Sequence, residues 1–136
     1  MKSYFVDTNL FIRYLTNDDP EKADRVDRLL DQAVKRKISL VTAEMVLAEV
    51  VWVLESFYKI DKHQITDMLK AILATPGLEV LNGKTVENAL QYYAFQNIDF
   101  IDAYIVALMQ KLKIEGIYSF DKKHLQRMTQ VKRLEP

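Results

Sequence analysis

Four acidic residues stand in apolar surroundings. Asp7 follows Tyr4-Phe5-Val6, Glu49 lies within Val46-Leu47-Ala48-Glu49-Val50-Val51, Asp102 within Phe100-Ile101-Asp102-Ala103, and Asp121 follows Ile117-Tyr118-Ser119-Phe120. An ionised carboxylate near a core must be paired, hydrogen-bonded or bound to a cation, and acids that converge repel one another unless a proton or a metal intervenes. The pattern therefore points to a divalent-metal site. The chain has no cysteine and only His63 and His124 as imidazoles, which excludes disulfides and thiolate zinc and disfavours a histidine-rich centre. Any metal would be held by oxygen, the donor set of Mg²⁺ or Mn²⁺. One or two such ions acidify water and stabilise in-line attack on a phosphodiester, so no protein nucleophile is needed.

Each acid also has an ordinary reading. Asp7, at a strand-to-helix junction, is equally readable as an N-cap. Asp99 and Asp102 form a spacing that suits capping and first-turn charge, more so for Asp99 than for Asp102. Asp121 precedes Lys122-Lys123-His124 and could belong to a solvated charge run; Ser119, two residues earlier on the same strand face, could hold a carboxylate or a water. Glu49 favours function over a buried salt bridge, because its helical neighbours Met45, Val46, Trp52 and Val53 are all apolar. Glu44 reads as a first-turn residue that complements the helix dipole.

The elements that must position these acids alternate between strand and helix. Residues 3–7 read as a buried strand, followed by a helical turn through Leu10, Phe11, Tyr14 and Leu15. Pro20 opens a helix to about Lys37 with the stripe Ala23, Val26, Leu29, Leu30, Val34. Ile38 to Val41 is a strand, and Thr42 is expected to cap a helix through Phe57 that is apolar all round and hence buried. Further helices are expected near 62–74, 85–95 and 100–112, with a strand at 78–81 after the Pro76-Gly77 break. Gly116 should end the last helix before a strand at 117–120, and 131–134 is a possible edge strand. Short strands separated by helices imply an α/β fold with a mostly parallel sheet covered on both faces, which binds ligands beyond the carboxyl ends of its strands. Asp7 and Asp121 sit at such ends, and helices could aim Glu49 and Asp102 at the same crevice.

A chain of 136 residues with 49% hydrophobic content suits a single domain spanning 1–136. The N-terminus reaches an acid too early for a signal-peptide core, and no apolar run approaches the roughly 20 residues of a membrane span. A cytoplasmic protein without membrane association is expected. The formal net charge is zero, yet from Lys111 onward seven Lys/Arg face three acids, an excess of four.

The segments Asp7-Thr8-Asn9, Leu47-Ala48-Glu49-Val50, Asp99-Phe100-Ile101-Asp102-Ala103-Tyr104-Ile105 and Ser119-Phe120-Asp121 together resemble the ordered signature of PIN-domain nucleases. The likeness is greatest to the VapC-type toxins of prokaryotic toxin-antitoxin pairs. It covers essentially the whole chain, and its specificity lies in the four-part set. The resemblance implies a Rossmann-like α/β/α sandwich and a Mg²⁺- or Mn²⁺-dependent endoribonuclease with a homodimeric or higher state and an antitoxin partner. It carries the family's core acids onto Asp7, Glu49, Asp102 and Asp121, and its supporting polar residues onto Asn9 and Ser119. Asp99 falls on a position that is acidic in some members. In the expected division of labour Asp7, Asp102 and Asp121 hold the metal and Glu49 positions water or a second ion. Arg13, Lys122, Lys123 and Arg127 are candidate contacts to RNA phosphates, with Lys132 and Arg133 nearby; a solvated surface is the alternative.

Rival functions remain in view. A non-toxin PIN nuclease of RNA processing and an inactive PIN binding module share the fold. A haloacid-dehalogenase-type phosphatase also begins with Asp at the first strand end, but its mechanism needs a second Asp where this chain has Asn9.

Overall fold

A computed structural model describes residues 1–123, 128 and 131–136. Its chain divides into two units, Met1–Gly83 and Lys84–Pro136. The first contains β1 (Ser3–Phe5), α1 (Thr8–Thr16), α2 (Pro20–Val34), β2 (Ser39–Ala43), α3 (Glu44–Ser56), α4 (Lys62–Leu73) and β3 (Leu78–Leu81). There β1 pairs with β2 and β2 with β3, both parallel, in the order β1-β2-β3. Each parallel neighbour is reached through helices, as parallel pairing requires. The class is therefore α/β with parallel strands, as the alternation of patterns indicates.

Local chemistry explains most boundaries. Asp19 caps α2 by accepting from the Lys22 amide at 3.2 Å, with Pro20 in the first turn. The helix stops at Val34, before the expected Lys37, because Arg36 takes a left-handed φ of 59°. Asp61 caps α4 by accepting from His63 and Gln64. Gly77 has a φ of 81°, and a Cβ there would lie 2.2 Å from the Ala33 carbonyl oxygen. Only glycine lets β3 begin so close to α2.

Thr42 does not cap α3. It is the fourth residue of β2, paired with Val80, and its buried hydroxyl donates to the Val6 carbonyl at 2.9 Å. The helix begins two residues later with Ala43 at the N-cap and Glu44 in its first turn. Glu44 accepts from the Asn82 side chain at 2.9 Å. Thr42→Val keeps the shape and removes the donor, so a loss of about 1–3 kcal/mol in unfolding free energy is expected by chemical denaturation, with Thr42→Ser near wild type. A Val variant as stable as wild type would show the bond to be dispensable.

The second unit holds α5 (Gly83–Phe95, which starts at the boundary), α6 (Phe100–Leu112), β4 (Gly116–Tyr118) and β5 (Lys132–Leu134). β4 pairs in parallel with β5, so the possible last strand forms. Tyr93 and Phe100 pack edge-on at 5.9 Å, and the Tyr92 hydroxyl bonds Gln110, tying α5 to α6. α6 ends not at Gly116 but at Lys113, left-handed at φ 58°; Gly116 instead opens β4, where a Cβ would press on the Lys132 carbonyl at 2.9 Å. Among the described residues no helix is long and apolar enough to cross a membrane.

Candidate active site

Asp7 occupies the N-cap position of α1 in extended geometry (φ −98°, ψ 179°), yet its side chain makes no capping hydrogen bond. Val6 and Thr8 on either side are buried while Asp7 is exposed. The junction thus turns the carboxylate outward, and the capping reading fails on geometry. Thr42 holds the Val6 carbonyl immediately before it. Asn9 is exposed in the first turn of the same helix.

Glu49 is where the sequence misleads most. α3 is not buried all round: Leu47, Val50, Val51 and Leu54 enter the core, whereas Met45 is 81% and Trp52 66% exposed. Glu49 lies with those two, exposed. Its apolar neighbours are real, but Met45 and Trp52 face solvent and Val46 and Val53 are only half-buried, so the premise of a desolvated carboxylate does not hold.

In the second unit Asp99 is the N-cap residue of α6, without a side-chain capping bond, and Asp102 is half-buried in its first turn. Asp121 is half-buried beyond β4. Its amide donates to Ser119 Oγ at 3.0 Å, and its Oδ1 accepts from the Lys123 amide at 2.9 Å. Ser119 is itself fixed to β5: its amide donates to the Leu134 carbonyl at 2.9 Å, and its carbonyl accepts from Arg133 at 2.7 Å. The serine therefore shapes the loop that presents Asp121. Asp7 and Glu49 lie in the first unit and Asp102 and Asp121 in the second, and among the described residues no group of three or more Asp, Glu or His is arranged to hold a metal. The donor chemistry, carboxylate oxygen with an amide and a hydroxyl nearby, fits a hard divalent cation.

The expected cations divide. Arg13 is half-buried and bonds Asp18 at 3.1 Å. Lys122 and Lys123 are exposed, Lys122 lying 3.7 Å from Glu135. Arg127 lies outside the described residues. The sequence reading missed Lys22 and Arg25, which line a cavity of about 500 Å³ between α1 and α2 together with Asn9 and Arg13. Their i,i+3 spacing was the available signal, obscured by the apolar stripe on the same helix.

The PIN domain family matches residues 4–130. A VapC ribonuclease of Aquifex aeolicus (strain VF5) is 22% identical over 118 residues, covering 87% of this chain and 87% of that protein. The crystal structure of Mycobacterium tuberculosis VapC20, described as a sarcin-ricin loop cleaving toxin, aligns over 90% of this chain and 92% of its own with a TM-score of 0.41 and 20% identity. Spanning all four acids and nearly every element described above, the match makes this chain a member of the PIN domain family.

Proposed function

We propose that the protein is a Mg²⁺- or Mn²⁺-dependent endoribonuclease, the toxin of a cytoplasmic toxin-antitoxin pair. The observation that carries this reading is the family match from residue 4 to residue 130, which includes Asp7, Glu49, Asp102 and Asp121 in order. The VapC ribonuclease similar over 87% of the chain supports RNA as the substrate class, and an antitoxin partner belongs to the same reading through the resemblance to VapC-type toxins. Self-association as a homodimer or higher oligomer belongs to the same reading.

When bound, the cation supplies Lewis-acid polarisation of the scissile phosphate and a more acidic water. Asp7, Asp102 and Asp121 would hold it through carboxylate oxygens. Asp7 suits that role because its side chain is exposed and is not used as a cap. Glu49 orients the attacking water and takes its proton, which asks for a solvent-reachable carboxylate. Asn9 donates to a ligand carboxylate or a phosphate oxygen. Ser119 fixes the Asp121 loop through the bond to its amide, and Asp99 starts the helix that carries Asp102. The leaving oxygen is protonated from solvent.

The test is cleavage of a panel of structured RNAs by purified protein with Mg²⁺, Mn²⁺ or EDTA. Discrete cuts with either metal and none in EDTA are expected. Absence of cleavage in every condition, together with absence of Mn²⁺ binding by calorimetry, would replace the nuclease by a PIN binding module.

A further inference from the structure

The groove between α1 and α2 runs alongside the helix that Asp7 opens: Asn9 lines it two residues after the acid and Arg13 one turn further on. Facing them from α2 are Lys22 and Arg25, one turn apart and exposed. Leu10 and Leu29, half-buried, and Val26, buried, make the remaining wall. We infer that this groove seats a backbone phosphate of the RNA strand that is cut, with Arg13, Lys22 and Arg25 as its cations and Asn9 as a neutral donor. The inference rests on the ribonuclease reading above and extends it to Arg13, Lys22 and Arg25, which that reading does not use.

Charge is the first argument. The lining holds three cations and no acid, although in residues 1–110 acids outnumber Lys and Arg by four. A concentration of positive charge against that background attracts a polyanion locally while the chain as a whole does not. Among the described residues Arg25 makes no ion pair. Lys22 has only a long contact, 3.9 Å from Asp19 with 55% of its side chain exposed, and such a pair is worth little.

Preorganisation is the second. Asp18, outside the groove lining, accepts from Arg13 at 3.1 Å, from the Thr16 hydroxyl at 3.0 Å and from the Tyr58 hydroxyl at 2.5 Å. Through Asp18 the guanidinium is tied both to its own helix end and to the chain after α3. A guanidinium carries five N–H donors in a rigid fork, so one bond to Asp18 leaves donors for a phosphate oxygen without further loss of side-chain freedom.

Size and polarity select the occupant. A cavity of about 500 Å³ lies in the range of about 300–1,000 Å³ used by small ligands. Its apolar wall offers two half-buried leucines, enough for a ribose or a base edge to lie against. A docked amphipathic helix needs anchors over two turns, and the groove lacks that length of apolar surface. An acidic protein segment is therefore the disfavoured occupant.

The experiment uses the Asp7→Asn protein in EDTA, so that RNA is bound and not cut, and follows a fluorescent oligouridine by anisotropy from 50 to 200 mM salt. Loss of the groove's phosphate contact in Lys22→Ala/Arg25→Ala should reduce the slope of log K against log salt by about 0.7, the value for one phosphate on a single strand. Lys22→Arg/Arg25→Lys should restore it, which separates lost charge from lost folding. An unchanged slope with RNA still bound overturns the groove and leaves the ribonuclease reading standing; no oligouridine binding by the parent removes the RNA reading itself. Loss of oligoglutamate binding in the double Ala variant with the RNA slope intact would assign the groove to an acidic protein and overturn the proposal.

Discussion

Asp7→Asn is expected to reduce metal-dependent RNA cleavage by about two to three orders of magnitude while leaving the melting temperature within about 1 °C of wild type. The substitution removes one negative charge and no atoms. Losing a direct ligand weakens transition-state charge stabilisation worth several kcal/mol, and each 1.36 kcal/mol is tenfold in rate. Stability should be spared for a local reason. Asp7 sits at the N-cap of α1 without using its carboxylate to cap, and asparagine caps as well as aspartate does. Single-turnover cleavage beside a circular-dichroism melt reads both quantities. Full cleavage by the variant would remove Asp7 from the proposed ligand set, whereas a large drop in melting temperature would reassign it to holding the helix start.

Gly77→Ala should have the largest effect on folding. The left-handed φ of 81° strains any L side chain, at a cost of about 1–3 kcal/mol. The new methyl would also sit 2.2 Å from the Ala33 carbonyl oxygen and 2.5 Å from its carbon. Those are backbone atoms of α2, so relief requires the helix and β3 to separate. The Gly77 carbonyl in turn accepts from the Leu40 amide of β2 at 3.0 Å, and moving it disturbs the central strand as well. Backbone strain and overpacking together reach several kcal/mol, a large part of the roughly 5–15 kcal/mol that holds a domain folded. Urea denaturation should show a midpoint lowered severalfold or no cooperative transition. A shift under about 1 kcal/mol would mean that α2 yields easily.

How far the sequence could be read depended on whether the deciding interactions were local. β3 and α6 occupy the expected residues, because Pro76-Gly77 and Asp99 mark their starts within the segments themselves. α3 starts one residue later than expected because Thr42 and Ala43 are drawn into pairing with Val80 and Leu81, nearly forty residues away, a contact no capping rule anticipates. Glu49 was placed in the core because an all-apolar helix is normally covered; Met45 and Trp52 show that this one leaves a face open. Asp7, Asp102 and Asp121 enter the proposed ligand set from their positions after strands and in a first turn, features written into a few adjacent residues. The cations of α2 could not, since their meaning depends on the packing of α1 against that helix.

The Tyr58 hydroxyl foremost, with Thr16 and Arg13, holds the Asp18 carboxyl below its ordinary pKa. A carboxylate whose folded pKa is depressed contributes its stabilisation above the unfolded value, about 3.9, and loses it only as pH falls through the lower folded one. Across the neutral range Asp18 stays ionised, so its bonds to Arg13, Thr16 and Tyr58 beside the turn that joins the first two helices keep a charged acceptor there. Acidification within that range does not release Arg13, and a phosphate that reaches the guanidinium meets it already positioned, with the donors Asp18 leaves over.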